Sequence, residues 1–90
     1  MLFRSSPETA DIVLSLRGRD AGSEFFVLQA DGETALLCDG RARRVEKPKR
    51  KNLRHISFIR KGEGRTAEKL RAGEKVTNGE IRMALRAPEA

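Results

Sequence analysis

The sequence predicts a mainly β fold, a small closed or nearly closed barrel with short helices packed on it at the C-terminal end. Two observations carry this. Four or five short apolar segments alternate with turn residues between Asp11 and Arg60, with no strand–helix–strand rhythm. After Gly62 the pattern changes to helix caps and a helical apolar face. Ninety residues leave room for one such domain, divided here into a loose lead over 1–10, a barrel over 11–61 and a helical extension over 62–90.

The lead ends in the breaker Ser5-Ser6-Pro7. The first strand begins at Asp11, with Ile12, Leu14 and Leu16 on one face and Val13 and Ser15 on the other. Arg17–Gly22 is a turn-forming stretch in which two glycines can take positive φ. The second strand, Glu24–Gln29, is apolar on both faces through Phe25-Phe26-Val27-Leu28, so it cannot be an exposed edge. Asp31-Gly32 signals a tight hairpin turn, which the third strand, Thr34–Cys38, closes before a further turn at Asp39-Gly40. Arg43–Glu46 has the makings of a short strand. Pro48 lacks a donor, so Lys47–Lys51 is excluded from the centre of a sheet. Leu53–Arg60 reads as the last strand, and Phe25, Phe26 and Phe58 read as core.

Two short helices follow. Thr66–Ala72 is expected to be capped by Thr66 and stopped by Gly73. Thr77 and Glu80 form a capping box, after which Ile81, Ala84 and Leu85 share one face, with Arg82 on the opposite, solvated side. Helices this short are marginal alone, so Leu70, Val76, Ile81 and Leu85 are expected to dock on the barrel.

Composition narrows the function classes. Leu, Ile, Val and Phe make up twenty-one of ninety residues, enough for a core but with little surplus. No apolar run approaches the length of a membrane span, and the start lacks a signal-peptide core, so a cytoplasmic protein without membrane contact is expected. One cysteine, Cys38, and one histidine, His55, offer no disulfide and no metal-ligand set. Cys38 reads as a buried small apolar residue. The sequence shows no phosphate-cradling P-loop and no nucleophile–base pair, so neither catalysis nor a cofactor or small-molecule substrate is expected.

The charge is concentrated. Residues 41–65 hold eleven basic side chains against Glu46 and Glu63, a net of +9, while the other sixty-five residues hold eight basic and eleven acidic groups, a net of −3. A slightly acidic protein with one intensely basic segment points to a polyanionic partner. The cations of that segment that read as RNA contacts are Arg41, Arg43, Arg44, Lys47, Lys49, Arg50, Lys51 and Arg54. They would neutralise phosphates, arginine also by forking onto phosphate or stacking on a base. Asn52 and His55 are candidates for bases or 2′-hydroxyls; equally, Asn52 could cap the local turn and His55 pack beneath it. Arg17 and Arg19, in the first loop, join the set if adjacent loops meet at one rim of the barrel. Asp20 is expected to stabilise its own turn. With no Trp or Tyr, backbone and shape recognition of structured RNA is favoured over a stacking platform.

The run Asp11-Ile-Val-Leu-Ser-Leu-Arg-Gly-Arg-Asp-Ala-Gly-Ser-Glu-Phe-Phe-Val-Leu resembles a KOW motif, with Gly18 or Gly22 as its hallmark glycine. Together with Leu37–Arg41 and the more specific Lys47-Pro-Lys-Arg-Lys-Asn-Leu-Arg-His string, it is similar to the bacterial KOW-domain RNA-binding proteins. These are related to the fourteen-e family of archaeal and eukaryotic large-subunit ribosomal proteins. The resemblance spans residues 10–60 well and the tail loosely, and departs at Cys38, where Val or Ala would stand. It implies an SH3-like β-barrel, a KOW domain, that binds RNA, with ribosomal RNA of the large subunit as partner and the ribosome as location; the protein is expected to be a monomer. Two alternatives stand beside it: a transcription-associated KOW protein touching polymerase or nascent RNA, and an adaptor whose basic block meets an acidic protein.

Overall fold

The computed structural model describes residues 7–86. Five strands form one antiparallel sheet: β1 (Asp11–Ser15), β2 (Glu24–Ala30), β3 (Thr34–Cys38), β4 (Lys49–Asn52) and β5 (Ile56–Lys61). Their order in space is β4-β3-β2-β1-β5. A single turn of 3-10 helix, Leu53–His55, joins β4 to β5, and those two strands are the edges of the sheet, which does not close through hydrogen bonds. The helices α1 (Arg65–Arg71) and α2 (Asn78–Arg86) follow.

The doubly apolar β2 is the central strand, as its sequence requires. Phe26 faces one cluster with Ala10, Ile12, Cys38, Ala67, Val76 and Ile81, against which Leu70, Ala84 and Leu85 of the helices pack. Phe25 and Val27 face the other cluster with Val13, Ala35 and Leu37, covered by Leu53 and Ile56 from the β4–β5 connection. The sheet therefore curls so that its own end covers its second apolar face, while the helices cover the first. Both helices dock through the side chains expected to do so, and residues 62–86 belong to the same body as the sheet. Of the lead, residues 1–6 lie outside the described residues, whereas Ala10 is fully buried and donates its backbone N–H to Val27.

Several local expectations are corrected. The β2–β3 hairpin forms, but Gly32 does not take positive φ. The turn is held instead by Asp31 Oδ1, which accepts from the backbone N–H groups of Glu33 and Thr34 at 2.7 Å each. Residues 43–46 form turns and no strand. Phe58 is 47% exposed rather than core. Phe58 pairs with Val13 on the edge strand β5, on the same face as Ile56, and stays half-exposed there; a bulge follows it, where Ile12 pairs with Arg60 and Ile59 packs on the helix-side cluster. The first residues of the last predicted strand are the 3-10 turn, capped by Asn52. Helix α1 starts one residue earlier than expected at Arg65, with Gly64 at φ 95° before it and no side-chain cap. Thr77 and Glu80 do form the reciprocal capping box.

Two glycines are required by close approach. A Cβ on Gly62 would clash with the Ala10 carbonyl oxygen, and one on Gly40, at φ 76°, would stand 2.5 Å from that of Asn78. Gly40 is where the turn after β3 meets α2, and Arg82 donates to its carbonyl at 2.8 Å. Arg82 is thus a tether between α2 and that turn, not a solvated bystander.

Candidate nucleic-acid interface

In an antiparallel meander the β1–β2 loop and the β3–β4 loop leave the same end of the sheet, which places residues 16–23 beside residues 39–48. That juxtaposition creates a cleft of about 590 Å³ lined by Arg19, Arg43, Lys49 and Lys51 together with Asp20 and Asp39. The expected meeting of the first loop with the basic segment takes place here.

The basic residues are not equivalent. Lys51 is only 8% exposed and its Nζ donates to Asp20 Oδ1 and to the Arg17 carbonyl, both at 2.9 Å. It is a buried tie between β4 and the β1–β2 loop, and its expected role as an exposed RNA contact is corrected on that ground. Register explains it: Lys51 pairs with Ala35 and Lys49 with Leu37, so both share the face of the Phe25 cluster, while Arg50 and Asn52 take the opposite face. Asp20 also accepts from Ser15 Oγ at 2.8 Å. Partial burial pushes its carboxyl up, but the hydrogen bonds from Lys51 and Ser15 and the Lys51 charge outweigh that and hold it below the usual carboxylate range. Asp20 stabilises its own loop, as expected, and in addition receives a lysine from across the sheet.

Arg50 donates to Thr34 Oγ1 at 3.0 Å on an exposed surface. Arg44 pairs with Glu46 at 3.5 Å, both well exposed, an arrangement that salt would screen. Asn52 Oδ1 accepts from the Arg54 N–H at 2.8 Å, which realises the capping alternative. His55 is half-buried, and its carbonyl accepts from Leu16 at 2.8 Å beside the root of the first loop. Asn52 and Arg54 line a separate hollow with Gly32 and Glu33 at the β2–β3 turn. Arg41 faces the α2 side with Arg82 and Arg86.

Among the described residues, the side chains of Arg17, Arg19, Arg41, Arg43, Lys47, Lys49 and Arg54 make no hydrogen bond or ion pair. Asp39, the acid nearest them in the turn, instead accepts the backbone N–H groups of Arg41 and Arg43 at 2.9 Å each. This turn is further fixed by Asn78, whose Oδ1 accepts from the Val45 N–H at 2.8 Å and whose Nδ2 donates to both Glu46 oxygens. The Glu46 carboxyl is lowered chiefly by that Asn78 bond. Asn78 escapes sequence reasoning because, inside the Thr77–Glu80 box, it reads as an ordinary helix residue, and nothing local signals a partner thirty-three positions away.

Cys38 is fully buried and its thiol is pushed up to about 12 by burial, with the Asp39 charge adding to it. It is therefore a poor nucleophile. Among the described residues no helix is long and apolar enough to cross a membrane, and no group of three or more His, Cys, Asp or Glu is placed to hold a metal ion. No model of a known protein family matches the chain, and no curated protein matches it.

Proposed function

We propose that the protein is a non-enzymatic RNA-binding module of SH3-like design, acting in the cytoplasm as a monomer on ribosomal RNA. The observation that carries the reading is the set of seven cations with unengaged side chains, six of them on the two loops at one end of the sheet and at the start of β4. Keeping like charges together without counter-charges of their own is unfavourable in the free protein and is relieved by a polyanion, with release of its counterions. The strand order β4-β3-β2-β1-β5, the 3-10 turn between the last two strands and the curled second apolar face support an SH3-like barrel. The resemblance of residues 10–60 to KOW-domain proteins supports RNA, and ribosomal RNA in particular, as the polyanion.

Gradient sedimentation of the tagged protein followed by crosslink sequencing tests the assignment. Co-migration with ribosomal subunits and crosslinks from one rRNA region are expected. Migration as a free protein, with crosslinks scattered over unrelated transcripts, would remove the ribosomal part of the reading.

A further inference from the structure

The cleft between the two loops gathers cations from three separate parts of the chain. Arg19 enters from the β1–β2 loop, Arg43 from the turn after β3, and Lys49 from the edge strand β4. None of the three side chains has a hydrogen bond or ion pair among the described residues. The two acids in the same walls are already engaged. Asp20 is held by Lys51 and Ser15, and Asp39 by the backbone of its own turn. Small residues, Gly18, Ser23 and Ala42, form much of the rest of the lining, to which the buried Phe25 also contributes. A cavity lined by three unmatched cations and small residues suits a compact, multiply charged oxyanion. Phosphate offers several oxygens to two guanidinium forks and one ammonium at once, which a single carboxylate does not. At about 590 Å³ the cleft also leaves room for the group that a phosphate carries.

We propose that this cleft seats one phosphate group, held by Arg19, Arg43 and Lys49, with Lys51 as a positioning residue that fixes the Arg19-bearing loop against β4. The source of the phosphate rests on the RNA-binding reading above: it is a phosphodiester of the RNA backbone. Lys51 itself does not touch the phosphate. Its bonds to Asp20 and the Arg17 carbonyl set the distance between the two walls.

The test is a ¹H–¹⁵N NMR titration of the intact chain with inorganic phosphate at constant ionic strength, chloride serving as the control, followed by RNA titrations of the same variants. Phosphate should saturably shift Gly18–Ser23, Asp39–Arg43 and Lys49. Arg19→Gln or Lys49→Gln should weaken it by threefold or more, while Arg54→Gln, in the separate hollow at the β2–β3 turn, leaves it unchanged. Lys51→Met should weaken phosphate binding under conditions where the variant is fully folded, and Lys51→Arg should recover part of it.

With RNA, Arg19→Gln and Lys49→Gln should be sub-additive, because both act on one phosphate, whereas Arg54→Gln and Lys49→Gln should multiply. Shifts spread evenly over all exposed cations, or no shifts, would overturn the seat. So would RNA binding in which Arg19 and Lys49 losses simply multiply, although RNA binding itself would stand. Phosphate confined to the cleft in a protein that binds no RNA would uphold the seat, assign it to a free phosphorylated molecule, and refute the RNA-binding reading.

Discussion

Replacing Lys51 by methionine removes the ammonium while keeping a side chain of similar length, and it should destabilise the protein markedly. In the native state Lys51 Nζ lies 2.9 Å from Asp20 Oδ1 and 2.9 Å from the Arg17 carbonyl oxygen, with side-chain exposures of 8% for Lys51 and 20% for Asp20. Breaking a fully buried pair by deleting one partner costs about 3–5 kcal/mol, because the other charge is left uncompensated. Asp20 keeps its Ser15 hydrogen bond and some solvent, so the expected cost here is lower, about 2 kcal/mol. For a domain of this size that corresponds to a fall in Tm of roughly 8–16 °C.

The pH dependence gives a second handle on the same pair. Asp20 has a folded-state pKa below its ordinary value, so its contribution is fully present above the unfolded carboxylate range and is lost as pH falls through the folded pKa. The stability gap between wild type and Lys51→Met should therefore be widest near neutrality and narrow in acid. Urea melts at a series of pH values measure both effects. A loss under about 0.5 kcal/mol at neutral pH would refute the reasoning and return Lys51 to the set of solvated cations.

The helical cover and the glycine contacts make further predictions. Ile81→Ala, at a fully buried site in the helix-side cluster, should cost about 2–5 kcal/mol, whereas Met83→Ala on the exposed face of α2 should cost under about 0.5 kcal/mol; equal, negligible losses in urea melts would mean that α2 is not docked. Gly62→Ala forces a Cβ against the Ala10 carbonyl and should lower Tm far more than Gly22→Ala, where no atom lies within 4 Å and only the positive φ opposes the change. Cys38, buried with its thiol raised to about 12, should react with a thiol reagent at neutral pH only at the rate of unfolding; rapid labelling of the native protein would contradict its burial.

The features legible in the sequence are those written in short-range pattern. Phe25-Phe26-Val27-Leu28 announces a strand covered on both faces, and β2 is central. Thr77 and Glu80 announce a helix start, and Ile81 and Leu85 its docking face. Features set by register or by distant partners are not legible this way. Phe58 alternates like a core residue, yet its place on the edge strand β5 leaves it 47% exposed. Lys51 looks like its neighbours Lys49 and Arg50, and only the pairing of β4 with β3 sends it beneath the first loop, where Asp20 receives it. Arg82 looks solvated on a helical wheel because the Gly40 carbonyl that it meets lies forty-two residues away. For the candidate site, the segment was legible from charge alone, but which of its cations are engaged in the fold was not.

The central claim, that the unengaged cations form a phosphate-contacting surface, is tested most directly by the salt dependence of RNA affinity. If roughly five or six of Arg17, Arg19, Arg41, Arg43, Lys47, Lys49 and Arg54 contact phosphates, log K against log[salt] for a structured rRNA fragment should slope by about −3.5 to −5.5, at ~0.7–0.9 per contact. Arg43→Gln should reduce the magnitude of that slope by about one contact, while Arg50→Gln, whose guanidinium is bonded to Thr34, should reduce it by less. A slope near zero, or RNA affinity indifferent to these arginines, would contradict the account.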